Sequence, residues 1–126
     1  MRCLLVDDDR AIRLAIGRLL VDLGFEVRSV GTVAAAVALL QRARCPLVLV
    51  DVHLPEIDGL TLVAWIRAQP AFADVRIILL TVETSYATMA AAQAAGCDLL
   101  LMKPITAGEF EAALRRLLGH LPVDLR

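Results

Sequence analysis

Apolar and polar positions alternate along this chain in blocks of two different kinds. Cys3–Val6, Leu47–Val50, Arg76–Leu80 and Leu99–Met102 are short runs rich in leucine, valine and isoleucine, the pattern of strands buried on both faces. Phe25–Val30 alternates and reads as a fifth strand. The intervening blocks carry helical signals. Arg10–Leu23 places Ile12, Ile16, Leu19, Leu20 and Leu23 at helical spacing, and Gly24 sits where a C-terminal cap belongs. Gly31 and Thr32 supply a turn and an N-cap for an alanine-rich helix over Val33–Arg44, which Pro46 ends. A third helix is predicted from about Leu60 to Ala68, broken by Pro70. A fourth spans Ser85–Ala95, closed by Gly96. The last starts at Thr106, with Glu109 three residues on as a capping box, and runs to Leu118.

These are five βα units in strict alternation, without internal repeat or low-complexity segment. The fold class is therefore α/β: a doubly wound (βα)5 domain with a parallel sheet and helices on both faces. In such a sheet every strand's carboxyl end lies on one side, so residues distant in sequence converge there. They are Asp7 and Asp8 after the first strand, Asp51 after the third, Thr81 after the fourth and Lys103 after the fifth. The stretch Leu47–Gly59 is the most informative. Its apolar run stops on Asp51, and Pro55, Asp58 and Gly59 then turn the chain.

Composition narrows the class. At 126 residues the chain is one domain with room for a core. A formal net charge of −1 gives no electrostatic reason to expect bound nucleic acid or an anionic membrane. The longest apolar run, Val33–Leu40, is far short of the roughly 20 residues of a membrane span. The N-terminus meets Asp7–Asp9 too soon for a signal peptide. Cys3, Cys45 and Cys97 are odd in number and embedded in apolar runs, as suits reduced, buried thiols in the cytoplasm.

The convergent set has a chemical reading. Three clustered carboxylates repel one another, and a hard dication bound by oxygens of Asp7, Asp8 and Asp51 would offset that. Mg2+ fits better than Ca2+, since few protein ligands leave positions for water and phosphate, and no twelve-residue calcium loop is present. A lysine and a threonine hydroxyl aimed at the same point suit a tetrahedral anion, hence phosphoryl transfer. With no serine or cysteine beside a base, Asp51 is the candidate nucleophile. Lys103 is the one lysine among 13 Lys and Arg residues, where a compact point charge differs from arginine's planar fork.

The pieces LLVDDD, LVLVDVHLPEIDG, IILLT and GCDLLLMKPI, in this order and spacing over nearly the whole chain, resemble the receiver domain of two-component response regulators, of the chemotaxis-regulator kind. The resemblance implies strand order 2-1-3-4-5 and a receiver domain over 1–120, with 121–126 a C-terminal tail or the start of a linker. It implies a signalling switch rather than an enzyme, in which Asp51 accepts a phosphoryl group from a histidine kinase or phosphotransfer protein and later loses it by self-catalysed hydrolysis. By the same resemblance Asp7 and Asp8 hold Mg2+ with Asp51 and the backbone carbonyl of His53. Thr81 and Lys103 contact the phosphoryl oxygens, and Lys103–Pro104 is a cis peptide. The kinase would dock around Asp9, Ile12, Ala15 and the loop after Lys103. A cytoplasmic monomer or weak dimer, binding neither nucleic acid nor membrane directly, is expected.

Two positions depart from the family pattern. Leu100 stands where an aromatic is common, and Val82 where a small residue is usual, which bears on how phosphorylation is reported. We expect phosphorylation to order Val82–Thr88 and move the fourth helix while Leu100 stays packed. His53 is expected at the mouth of the site near Glu83, where it could steer the hydrolytic water. Taken singly, the residues have plainer readings: Asp7–Asp9 as a helix-capping cluster, Asp51 and Asp58 as turn residues, Thr81 as a strand-end hydroxyl. Two other functions stay open. One is a docking module indifferent to phosphorylation. The other is a Mg2+-dependent phosphohydrolase, in which His53 occupies the position usual for the acid/base carboxylate.

Overall fold

The computed structural model describes residues 1–83 and 85–125. Five strands, β1 (Arg2–Val6), β2 (Glu26–Val30), β3 (Leu47–Asp51), β4 (Arg76–Thr81) and β5 (Leu99–Met102), form one parallel sheet in the order β2-β1-β3-β4-β5. Five helices connect and follow them: α1 (Arg10–Asp22), α2 (Val33–Leu40), α3 (Gly59–Ala68), α4 (Tyr86–Ala95) and α5 (Ala107–Leu118). The expected fold and strand order are those observed.

Period-two alternation divides the sheet's side chains between two apolar layers. Leu4, Val6, Val48, Val50, Ile77 and Leu79 face one way and pack with Ala36, Leu62, Ile66 and Ala92 of α2, α3 and α4. Cys3, Leu5, Leu47, Leu49, Ile78 and Leu80 face the other and pack with Ile16 and Leu20 of α1 and Phe110 and Leu114 of α5. The inner strands β1, β3 and β4 are therefore apolar at almost every position, because both faces are covered. Edge strand β2 is largely open, and its sequence alternates accordingly.

Helix starts follow capping chemistry. Oxygens of Asp9, Thr32, Asp58, Ser85 and Thr106 each accept a first-turn backbone N–H. Gly24 and Gly96 take positive φ angles of 95° and 98° just past α1 and α4, as their cap positions require. Element boundaries lie within one residue of expectation except at the end of α2. Helix α2 stops at Leu40, not Arg44. Pro46 forces Cys45 out of helical geometry, and Cys45 is buried, so the chain must leave the helix earlier to bring it under the sheet. Helix α3 starts one residue before Leu60, at Gly59. A Cβ there would collide with the Asp51 carbonyl oxygen and stand 2.8 Å from Val50 Cγ1, so α3 can cross the end of β3 only on a glycine.

After α5 the chain stays on the domain. Leu121 is buried in the α1/α5 layer, Val123 N–H bonds to the Leu23 carbonyl at 3.0 Å, and Pro122–Leu125 forms a 3-10 turn. Arg126, in the expected tail, and Thr84, in the Val82–Thr88 segment, lie outside the described residues. Cys3, Cys45 and Cys97 are free thiols, the first two buried and the third half-buried. Burial pushes the Cys3 thiol up to about 12.

Candidate active site

Parallel pairing delivers the candidate residues to one edge. Asp7 follows β1 and its N–H bonds to the Val30 carbonyl at 3.1 Å. Asp51 and Thr81 close β3 and β4, while Lys103 follows β5, its N–H bonded to the Thr81 carbonyl at 2.7 Å. Asp7, Asp51 and Thr81 are the buried polar residues among those described. Burying two carboxylates and a hydroxyl side by side is costly unless each is partnered.

The partners are present. Asp7 Oδ1 accepts from Asp9 N–H at 2.9 Å, and Asp51 Oδ1 from His53 N–H at 3.0 Å. Their Oδ2 atoms share the Lys103 ammonium, each at 3.0 Å from Nζ. Thr81 Oγ1 accepts from Glu83 N–H at 3.2 Å, which leaves its proton free to donate. Asp8 is exposed, yet oxygens of Asp7, Asp8 and Asp51 can all lie within 4.8 Å of one another.

Burial raises the Asp51 carboxyl above its ordinary value, outweighing the His53 N–H and Lys103, which act the other way. For Lys103 the balance reverses. Burial pulls its ammonium down, but contacts with Asp7 and Asp51 together win and raise it. The outcome is a firmly protonated lysine beside a carboxylate more basic than a solvated one.

The donor set suits a hard dication. It consists of carboxylate oxygens only, with two of the three residues oriented by backbone N–H bonds, and three acids against one ammonium leave excess negative charge. Asp7, Asp8 and Asp51 thus fit Mg2+ as the sequence suggested.

The flanking residues fall around this centre. His53 is exposed, and its Nε2 lies 3.6 Å from Glu83 Oε1, as expected from the sequence. Glu83 Oε1 is also 3.4 Å from Thr88 Oγ1 in the first turn of α4. Val82 is 65% exposed and forms one wall of an apolar groove of about 330 Å³ with Ile12, Ala15, Leu19, Pro104 and Ile105. The groove includes Ile12, Ala15, Pro104 and Ile105 of the expected docking face but not Asp9, and it opens beside Lys103. Leu100 pairs with Leu79 and packs, half-buried, in the layer covered by α2, α3 and α4. The Lys103–Pro104 peptide is cis. Sequence reasoning missed two residues. Gly59, taken as a turn, is the contact point of α3 on Asp51. Arg13 on α1 donates from a guanidinium nitrogen to the Asp7 carbonyl at 2.6 Å.

A doubly wound sheet with a lysine-bridged acid pair at its carboxyl edge is the arrangement that the resemblance to receiver domains implies. The chain belongs to the response regulator receiver domain family, which it matches over residues 3–115. It is 37% identical over 115 residues to the transcriptional regulatory protein GltR of Pseudomonas aeruginosa, covering 91% of this chain and 48% of that protein. The chain spans about half the length of the curated relatives it matches. The chemotaxis response regulator CheY4 of Vibrio cholerae superposes with a TM-score of 0.87 at 32% identity, over 93% of this chain and 98% of that one. The receiver domain of the sensor histidine kinase PA1611 from P. aeruginosa, solved with a magnesium ion coordinated in its active site cleft, gives 0.85 at 32% identity over 94% and 97%.

Proposed function

We propose that this domain is a phosphorylation-dependent switch in which Asp51 accepts a phosphoryl group from a phosphohistidine of a sensor kinase or phosphotransfer protein. The supporting observation is the Lys103 ammonium, 3.0 Å from both Asp51 and Asp7. A nucleophilic carboxylate, a fixed cation and a metal-binding acid pair meet at one point. Asp51 attacks phosphorus, the P–N bond to the donor imidazole breaks, and the ring, protonated on its other nitrogen, keeps the bonding electron pair and leaves as neutral imidazole. Lys103 and the Thr81 hydroxyl bind the phosphoryl oxygens. Asp7, Asp8, Asp51 and the His53 carbonyl would hold Mg2+, which when bound neutralises charge on those oxygens. The switch resets when water attacks phosphorus, the bond to Asp51 breaks and inorganic phosphate departs. The groove beside Lys103 seats the donor protein, and the free thiols support a cytoplasmic location.

Val82, exposed on the groove wall, favours a second reading in which docking there is indifferent to phosphorylation. One experiment separates the two. Incubation with a small acyl phosphate and Mg2+ should add one phosphoryl group, labile to hydroxylamine, that mass spectrometry maps to Asp51 and Asp51→Asn abolishes. An adduct that leaves kinase affinity unchanged supports the docking reading, and the absence of any adduct defeats the switch.

A further inference from the structure

We propose that Arg13 is a positioning residue for the metal-binding acids, acting through the backbone between Asp7 and Asp8. The inference rests on the reading of Asp7, Asp8 and Asp51 as the Mg2+ site. Of those three carboxylates, two are fixed by hydrogen bonds. Asp7 is held by Asp9 N–H and Lys103, and Asp51 by His53 N–H and Lys103. Among the described residues nothing donates to the Asp8 carboxylate, which is exposed. Its place within 4.8 Å of the other two therefore depends on the direction of its backbone.

That direction is set one bond away. The Asp7 carbonyl, half of the peptide unit that leads into Asp8, accepts the Arg13 guanidinium at 2.6 Å, while Asp7 N–H is held by Val30 at 3.1 Å. The two peptide units that flank the Asp7 Cα are thus both held, the one before it from β2 and the one leading into Asp8 from α1. Arg13 is half-buried and reaches this carbonyl through the space that Gly31 leaves open. A Cβ at Gly31 would stand 3.0 Å from the same guanidinium nitrogen and 3.8 Å from the Asp7 carbonyl oxygen. Arginine suits the task because a planar guanidinium keeps its charge when partly buried and donates in a fixed direction.

Positioning and simple electrostatics predict opposite signs. A guanidinium near the site repels a dication, so removing its charge alone would tighten Mg2+ binding. Loss of positioning weakens it, as changes to partners that orient metal ligands do. The test measures Mg2+ affinity calorimetrically in the unphosphorylated protein, with melting temperature recorded beside it. Arg13→Met should weaken Mg2+ binding about 10-fold, the low end of the range for such outer partners. Arg13→Lys, which retains a charged donor, should recover part of the loss. Gly31→Ala crowds the guanidinium without removing it and should weaken binding in the same direction by less. Affinity unchanged or tightened in Arg13→Met overturns the inference while the metal site itself stands. A wild-type protein that binds no Mg2+ overturns both.

Discussion

The imidazole of His53 stands 3.6 Å from the carboxylate of Glu83, joining the loop after β3 to the loop after β4 across the mouth of the acid site. Both side chains are more than half exposed, so the pair contributes little to stability. In the proposed cycle the pair would steer the water that attacks a phosphoryl group on Asp51. His53→Asn and Glu83→Gln should each alter the lifetime of phospho-Asp51, and their effects should not add. Contacting residues couple by about 0.5–1 kcal/mol, roughly two- to fivefold in rate. Single-turnover dephosphorylation of both single mutants and the double mutant measures this. Strictly additive rates would show two independent surface residues.

The metal-free acid site carries its own pH signature. Asp51 has a folded value raised above its ordinary 3.8, so the folded state binds that proton more tightly than the unfolded chain. Its contribution to stability is present below about 3.8 and is lost as pH rises through the folded value. Asp51→Asn should remove that decline, and Asp8→Ala, which deletes an exposed and unanchored acid, should raise the metal-free melting temperature. Both should weaken Mg2+ binding. Melting temperatures lowered by both substitutions without metal would show that the cluster is not electrostatically frustrated.

Asp124 behaves with the opposite sign. Arg115 donates to both its oxygens, at 2.7 and 3.1 Å, and holds its carboxyl down at about 2. The stability it lends is present above 3.8 and is lost as pH falls towards about 2. The pair is open to water, so added salt should shrink the effect. Urea titrations between pH 2 and 5 on wild type and Asp124→Asn should diverge only at the upper end of that range. Parallel curves would mean the ion pair does not form in solution.

The sequence makes the sheet legible because two covered faces force inner strands to be continuously apolar, and the caps mark where helices start. Asp7, Asp51, Thr81 and Lys103 are legible as a set because parallel topology alone brings strand ends together. Arg13 is not, since its partner is a backbone carbonyl, and a carbonyl has no letter in a sequence. Arg67 illustrates the same blind spot at the opposite edge. It bonds the Gly96 and Val75 carbonyls at 2.8 and 2.7 Å and Asp98 at 2.8 Å, yet reads as one arginine among many. Helix α2 ends short of expectation because Gln41, Arg42, Ala43 and Arg44, all tolerated in helices, carry the helical signal past Leu40, where burial of Cys45 overrides it.

Gly59 offers a structural test of how Asp51 is placed. A methyl group at this position meets the Asp51 carbonyl and Val50 Cγ1 on the rigid end of a central strand, so neither α3 nor β3 can yield cheaply. Gly59→Ala should cost about 1–3 kcal/mol, the range for overpacking a filled core. It should also slow acyl-phosphate labelling of Asp51 more than the loss of stability explains. A variant with wild-type stability would show that α3 shifts freely over β3.

The last expectation concerns how the phosphorylated state is reported. A ligand shifts only conformations it binds differently, so some element must have two resting places. A rotating aromatic at position 100 is one solution, because a large flat ring has distinct positions to occupy. Leucine there is smaller, and Leu100 is already packed, half-buried, against the layer beneath α4, with exposed Val82 beside the site. The segment Val82–Thr88 is the better candidate, since Glu83 touches both His53 at the site and Thr88 on α4. A beryllofluoride complex of Asp51 should slow amide exchange in the first turn of α4. Leu100→Ala should cost about 1–3 kcal/mol, less than a fully buried leucine, and leave that protection intact. Loss of the protection at little cost in stability would make Leu100 the moving part after all.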